Sequence, residues 1–404
     1  MPIASQTSSV KEFTLDNGFQ IIINNDNEQT NLWLHLSYFV SRRNEIPESA
    51  GINDTLIRAL GNERPSKESI RLYDDHTLFT EVFAPAELDK ALRQHAAIMT
   101  TPIITDESLQ KVVRWTNDIR HEADLFISNH SIPLEVAKLL FPQTRYSHYE
   151  TTVASLARLD VEKLKTWHEQ WYAPNNARLV ISGNINAEDA LLLVQKHFAD
   201  IPRKTIEDTL FTRELAEPGK RHVELRKNTE VPVAITAFNL SDSKSLYENP
   251  KDISALTLIK ELVTEYFYLL PDGYGAALNL ENRDAAVFYC SVTGHSPEQS
   301  PDQLERGLHA YLEKLKHTPI SMESLNRAQE SRLASRAELE AEPWWFGYFL
   351  NHLASMGLTD IDLVQQRQNL LNVTPNDIQK FANTYFTERR MTTAHIFPID
   401  AVQK

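Results

Sequence analysis

One cysteine, Cys290, stands in 404 residues, so the chain closes no disulfide on itself and builds neither a cysteine-type zinc knuckle nor an iron–sulfur cluster. That scarcity suits a reducing compartment, and the expected location is the cytoplasm. Long apolar runs are missing too. No segment reaches the ~18 uncharged apolar residues of a membrane span, and the first residues lack the basic start and apolar run of a secretory signal. Positive charge is the next shortage: 41 Lys and Arg against 55 Asp and Glu leave a formal charge of −14. The densest basic residues, Lys204, Lys220, Arg221, Arg226 and Lys227, are interleaved with acids. Neither nucleic acid nor a membrane surface is an expected partner of such a chain.

A fourth absence is one of spacing. A zinc pair on one helix needs two imidazoles three to five residues apart, usually with a carboxylate alongside. The chain has 14 histidines, but the nearest two, His309 and His317, are eight residues apart. There is likewise no G-x-S-x-G elbow and no G-x-x-x-x-G-K-[ST] phosphate loop. Gly273-Tyr-Gly275 follows Pro271-Asp272 without a lysine and reads as a turn.

What is present is an ordinary folding composition, 42% apolar and 24% charged, in a chain long enough for two or three domains. It repeats itself. Leu88-Asp-Lys-Ala-Leu92 returns as Leu304-Glu-Arg-Gly-Leu308, and Glu107, Ser108 and Leu109 return as Glu323, Ser324 and Leu325, both 216 residues later. Leu159, Leu164, Trp167, Trp171 and Tyr172 meet Val373, Ile378, Phe381, Tyr385 and Phe386 at an offset of 214. Strand-like alternation opens each repeat, at Leu32, Leu34 and Leu36 and at Val231, Val233 and Ile235. From that strand to the Leu88 or Leu304 helix the first repeat is 17 residues shorter.

Apolar spacing near 3.6 predicts helices at 88–99, 107–126 and 161–172, answered by 304–315, 322–339 and 375–385. Mixed elements without strict βαβ alternation indicate an α+β fold. The expected boundaries are a first domain at 1–205, a charged, Pro- and Gly-bearing linker at 206–222, and a second domain at 223–404. The aromatic run Trp344, Trp345, Phe346, Tyr348 and Phe349 reads as core or interface, and Trp167 and Trp171 as core.

Three stretches carry a family resemblance: Thr14-Leu-Asp-Asn-Gly-Phe-Gln-Ile-Ile-Ile, Ser49-Ala-Gly-Ile-Asn-Asp-Thr-Leu-Ile-Arg-Ala-Leu60, and Trp171-Tyr-Ala-Pro-Asn-Asn-Ala-Arg-Leu-Val-Ile-Ser-Gly-Asn. They resemble the insulinase (pitrilysin) family of zinc peptidases. The resemblance implies two tandem homologous α+β domains, each a mostly antiparallel sheet packed with helices, and a peptide-binding chamber between facing domain pairs. It also places the family's H-x-x-E-H metal motif on Asp54, Ile57 and Arg58. Arginine has no lone pair to offer a metal, and isoleucine cannot take the proton of a zinc-bound water. Asp54 and Arg58 stand at i and i+4, the spacing of a helix-surface ion pair.

The third family ligand, a glutamate, matches around 109–112, where Leu109, Gln110, Lys111 and Val112 supply no carboxylate. No metal and no cofactor are therefore expected in this chain, and zinc is expected in a partner. The family's substrate-holding arginine and tyrosine point to Arg283 and Tyr289, with Tyr289 one position early and so on the opposite strand face from Cys290. Otherwise Arg283 is a solvated turn residue and Tyr289 a sheet aromatic. The resemblance thus implies a non-catalytic subunit, inactive alone, that pairs with a motif-bearing subunit as a heterodimeric endopeptidase and helps hold a peptide. The alternative is a structural scaffold without proteolytic role, resembling the core subunits of respiratory complexes.

Overall fold

The computed structural model describes residues 9–61, 68–73, 76–123, 133–142, 152–206, 214–268, 274–279, 285–340, 342–356, 358 and 363–399. The first half of the chain runs β1 (Ser9–Thr14), β2 (Gln20–Asn25), β3 (Leu32–Tyr38), α1 (Ile52–Gly61), β4 (Glu68–Leu72), β5 (Thr77–Phe83), α2 (Leu88–Thr100), α3 (Asp106–Ala123), α4 (Leu134–Leu140), α5 (Val153–Leu156), α6 (Val161–Trp171), β6 (Ala177–Gly183) and α7 (Ala187–Phe198). The second runs β7 (Arg221–Lys227), β8 (Val233–Asn239), α8 (Ser243–Tyr247), α9 (Pro250–Tyr268), β9 (Tyr274–Asn279), β10 (Val287–Thr293), α10 (Pro301–His317), α11 (Met322–Glu340), α12 (Pro343–Ser355), α13 (Leu363–Leu371), α14 (Pro375–Tyr385) and β11 (Met391–Pro398).

Capping chemistry sets several of these boundaries. Asp160 accepts from the Lys163 amide to open α6, Asn186 accepts from the Glu188 and Asp189 amides to open α7, and Thr374 with Pro375 opens α14. The Asp16-Asn17-Gly18 turn closes the β1–β2 hairpin. Gly18 sits at φ 88°, and a Cβ there would lie 2.8 Å from the Asn175 Cβ, so both the conformation and the space require glycine.

The two sheets share one plan. The first has strand order β1-β2-β6-β3-β5-β4 and the second β7-β11-β8-β10-β9. Each has one parallel pair, β2 with β6 and β7 with β11, and is otherwise antiparallel, so the second is the first without its outer strand. The α+β duplication expected from the sequence is the architecture found. The 17-residue difference lies largely in one helix. Between the strand and the following hairpin, the first half has α1 with 10 residues where the second has α9 with 19. Both strands of the hairpin, β4 and β5, are present.

Contacts divide the chain into two compact units. One comprises residues 1–117, 149–210 and 339–355, the other 118–148, 211–338 and 356–404. The division differs from boundaries drawn along the chain, because α12 packs in the first unit and α4 in the second. In the first unit, α2, α6 and α7 cover one sheet face through Leu92, Leu164 and Val194, and α12 covers the other through Leu350 and Ala354 against Ile22 and Val180. In the second, α9, α10 and α14 cover one face, and α4 lays Val136, Ala137 and Leu140 against Ile235, Ala394 and Ile396 on the other. This two-sided cover leaves β8 buried along its whole length and β3 buried at all but Trp33. The alternation read in the sequence as a half-buried strand saw only one of the two apolar faces. Among the described residues, no helix is long and apolar enough to cross a membrane.

Candidate functional site

Helix α1 carries the motif positions. Its start is fixed by Glu45, which is 1% exposed and accepts from the Gly51 amide at 2.8 Å and the Asn53 amide at 3.0 Å. Burial pushes the Glu45 carboxyl up to about 7 against those two hydrogen bonds, which pull it down. Asn53 then ties the helix to its neighbours, donating to the Thr77 hydroxyl at 3.0 Å and accepting from the Trp167 indole at 3.2 Å.

On this anchored helix the Arg58 Nε donates to Asp54 Oδ1 at 2.8 Å, with Asp54 9% and Arg58 37% exposed at the side chain. Ile57 turns inward and is buried in the core with Leu56 and Leu60. The positions that would hold a metal and its base are thus an ion pair and a core side chain. On α3, Leu109 and Val112 are buried, Gln110 and Lys111 are exposed, and Lys111 pairs with Glu107 at 2.9 Å. No carboxylate stands at 109–112.

Beyond α1 the sheet ends in β4, paired to β5 from Glu68 opposite Glu81 to Leu72 opposite Thr77. Ile70 and Leu72 pack into the core, so Ser69 and Arg71 face the other way. There, with Trp33 and His35 of β3, Leu78 and Thr80 of β5, and Trp344 and Tyr348 of α12, they line a pocket of about 190 Å³. The Arg71 guanidinium lies over the Trp344 ring, 5.6 Å from its centroid. His35 forms the floor, its Nδ1 3.2 Å from the Thr80 hydroxyl. Burial first, then the nearby Arg71 charge, holds His35 down at about 3, so its ring is neutral.

The aromatic run on α12 is therefore only partly core. Trp345 is buried and stacks on Phe349 at 4.8 Å, but Trp344 and Tyr348 line this pocket. The sequence reading missed this because an aromatic run of about one and a half helical turns presents both faces of the helix, and the strand residues that complete the pocket are about 270 to 310 positions away.

Of the substrate-holding residues, Arg283 lies outside the described residues. Tyr289 is half-buried in mid-β10, opposite Ala237, on the sheet face packed with α4. Burial raises its phenol above the usual range. Cys290 takes the helix-covered face, is 1% exposed, and is raised by burial, so its thiol is inert.

At the positions where the resemblance would place the metal motif, the described residues are an ion pair and a core side chain. Comparison with known proteins bears on the fold. A family model described as "Peptidase M16 inactive domain" matches residues 158–332. A zinc protease PqqE from Helicobacter pylori is 23% identical, over 95% of this chain and 92% of its own length. The crystal structure of a protease from Helicobacter pylori superposes with a TM-score of 0.80 at 18% identity, covering 97% of this chain and all of that one. A peptidase M16 inactive domain from Pseudomonas fluorescens gives 0.79 at 15%, covering 97% and 98%. The family match thus covers residues 158–332, and over nearly the whole chain the fold is similar to that of M16 (insulinase) peptidases.

Proposed function

We propose that the chain is the non-catalytic subunit of a heterodimeric insulinase-type zinc endopeptidase, forming half of the peptide chamber and holding an extended peptide for a motif-bearing partner that supplies the zinc. The observation that carries this reading is the intact motif helix with Asp54–Arg58 and Ile57 in place of ligands and base, set in the same unit as a pocket suited to a peptide side chain. Strand β4 ends its sheet, and an edge strand offers backbone hydrogen bonds to an extended peptide. Beside it the pocket offers a hydrophobic aromatic wall and one guanidinium, which together select an aromatic or acidic side chain. By the family resemblance, Arg283 and Tyr289 are the residues that would hold backbone carbonyls of a peptide.

The test is reconstitution with a co-encoded relative that carries H-x-x-E-H. The purified chain alone cuts no peptide, and the mixture cuts faster than the relative by itself. Within the mixture Arg71→Ala raises KM about tenfold, roughly 1.4 kcal/mol of binding, and leaves kcat unchanged. A mixture no faster than the relative alone would sink this reading and leave the scaffold alternative.

A further inference from the structure

In the second unit three side chains from three separate elements converge. His222 is the second residue of β7, His395 lies in mid-β11, and Glu305 is on the second turn of α10. His395 Nε2 stands 2.5 Å from Glu305 Oε2. The two imidazoles meet edge to face with centroids 4.7 Å apart. One ligand atom from each of the three lies within 4.8 Å of the others, the one such group of three among the described residues.

The fold brings them together by register. β7 and β11 are parallel neighbours with His222 opposite Thr393 and His395 opposite Glu224, so both histidines rise from the sheet face that α10 crosses. The surrounding hydrogen bonds aim the donors. His222 Nδ1 is 2.7 Å from the hydroxyl of Thr393, which is 2% exposed; in the tautomer whose Nδ1–H donates to that hydroxyl, Nε2 keeps its lone pair for the cluster. His309, one turn along α10, sits 3.6 Å from the other oxygen of Glu305 and is itself held by the Thr236 hydroxyl at 3.1 Å. Side-chain exposure grades from 5% at His395 through 19% at Glu305 to 40% at His222, so the group is anchored inside and open at the β7 edge.

We propose that His222, Glu305 and His395 bind a divalent transition metal ion, zinc by the chemistry of the donors. Two imidazoles and one carboxylate form a three-ligand zinc set, with water in the fourth position. Imidazole donors set it apart from calcium and magnesium sites, which are built from oxygen. Bonds of about 2.0–2.2 Å in a tetrahedron separate neighbouring donors by roughly 3.3 Å. Glu305 would back away from His395 by less than about 1 Å and the exposed His222 ring would swing in by about 1.5 Å. The ion takes the place of the hydrogen bond between His395 Nε2 and Glu305, both atoms becoming ligands, and a proton on Nε2 moves to Nδ1 or to solvent. The site is independent of the motif helix, lies on different elements, and ties the β7 strand to α10. It does not rest on the proposed function.

The test uses the full chain stripped with chelator. Zinc titrated calorimetrically binds with about one equivalent, and cobalt(II) gives the visible absorption of a tetrahedral nitrogen–oxygen site. His222→Ala and Glu305→Gln abolish both signals. Thr393→Val weakens zinc about 10–100-fold through the loss of its hold on His222, with the metal-free Tm unchanged. His222 is exposed, so its variant folds whatever happens to the others. Asp54→Ala leaves zinc binding as it was. Failure of the stripped chain to bind zinc or cobalt, or binding that survives both His222→Ala and Glu305→Gln, overturns the site.

Discussion

Gly347 is the one position in the aromatic run of α12 with no room for a side chain. A Cβ there would fall 2.6 Å from His35 Cδ2 and 2.7 Å from Nε2, and that ring is 1% exposed and held by Thr80. Gly347→Ala must shift either the ring or the helix and is expected to cost about 1–3 kcal/mol in urea unfolding. His35 also shapes the response to acid. His35 is held down at about 3 and His168 at about 4, each chiefly by burial, with the Ile98 carbonyl opposing at His168. Both stay neutral in the folded chain while the unfolded chain binds protons below about 6.5, so their contribution is complete above that pH and is lost as pH falls. Glu45, raised to about 7, works the other way. Between about 4.5 and 7 the folded chain holds its proton more tightly, so its share of the stability fades as pH rises. The net expectation from pH 6 to 5 is a loss of about one proton's worth, roughly 1.4 kcal/mol per pH unit; below about 4.5 Glu45 no longer opposes, but His168 begins to protonate in the folded chain too, so the slope stays near that value. His168→Gln should leave urea midpoints nearly flat between pH 6 and 5. An unchanged slope would mean that His168 titrates normally.

Helix α1 shows what a motif means once it is folded. Restoring the family pattern with Asp54→His, Ile57→Glu and Arg58→His supplies two imidazoles and a carboxylate on paper, but position 57 faces Leu56 and Leu60 in the core and is 3% exposed. A glutamate there is an unpaired buried charge, and Ile57→Glu alone should cost about 3–5 kcal/mol by chemical denaturation. The triple variant should also cut no peptide, since no carboxylate stands at 109–112 to complete the ligand set. Helices were the legible elements. The 3.6-residue period placed α2, α6, α10, α11 and α14 to within a few residues, because α2, α6, α10 and α14 each turn one apolar stripe to one core. Asp54 and Arg58 were readable as a pair for the same reason, their contact being one turn long. The pocket at Arg71 and Trp344 and the group at His222, Glu305 and His395 were not, because sheet register, rather than any local spacing, brings their residues together.

At the scale of the whole chain, the order of residues and the order of packing part company at two helices. The sequence supports a division near 206–222, and the second sheet opens at the end of that stretch, with β7 at Arg221. Yet α12, which follows the second sheet's hairpin, belongs by contact to the first unit, and α4, which precedes β6, belongs to the second. Polar contacts reinforce the apolar ones. The Asn351 amide donates to the Ser37 hydroxyl at 2.7 Å in the first unit. In the second, the Asn239 amide donates to the Leu140 carbonyl at 2.8 Å and Lys227 pairs with Glu135 at 2.6 Å. No hydrophobic period along β3 or β8 says which helix will cover its second face, so the exchange was invisible in the sequence. A fragment ending at 205 would strip α12 from Ile22, Val180, His35 and Ser37, and one starting at 223 would strip α4 from Ile235, Ala394 and Ile396. An apolar sheet face opened to water on that scale leaves each half short of a closed core. Fragments 1–205 and 223–404 should each unfold without a cooperative transition by circular dichroism in urea, while their mixture recovers one. A cooperative, native-like transition in the first fragment alone would show that α12 is dispensable to the unit it covers.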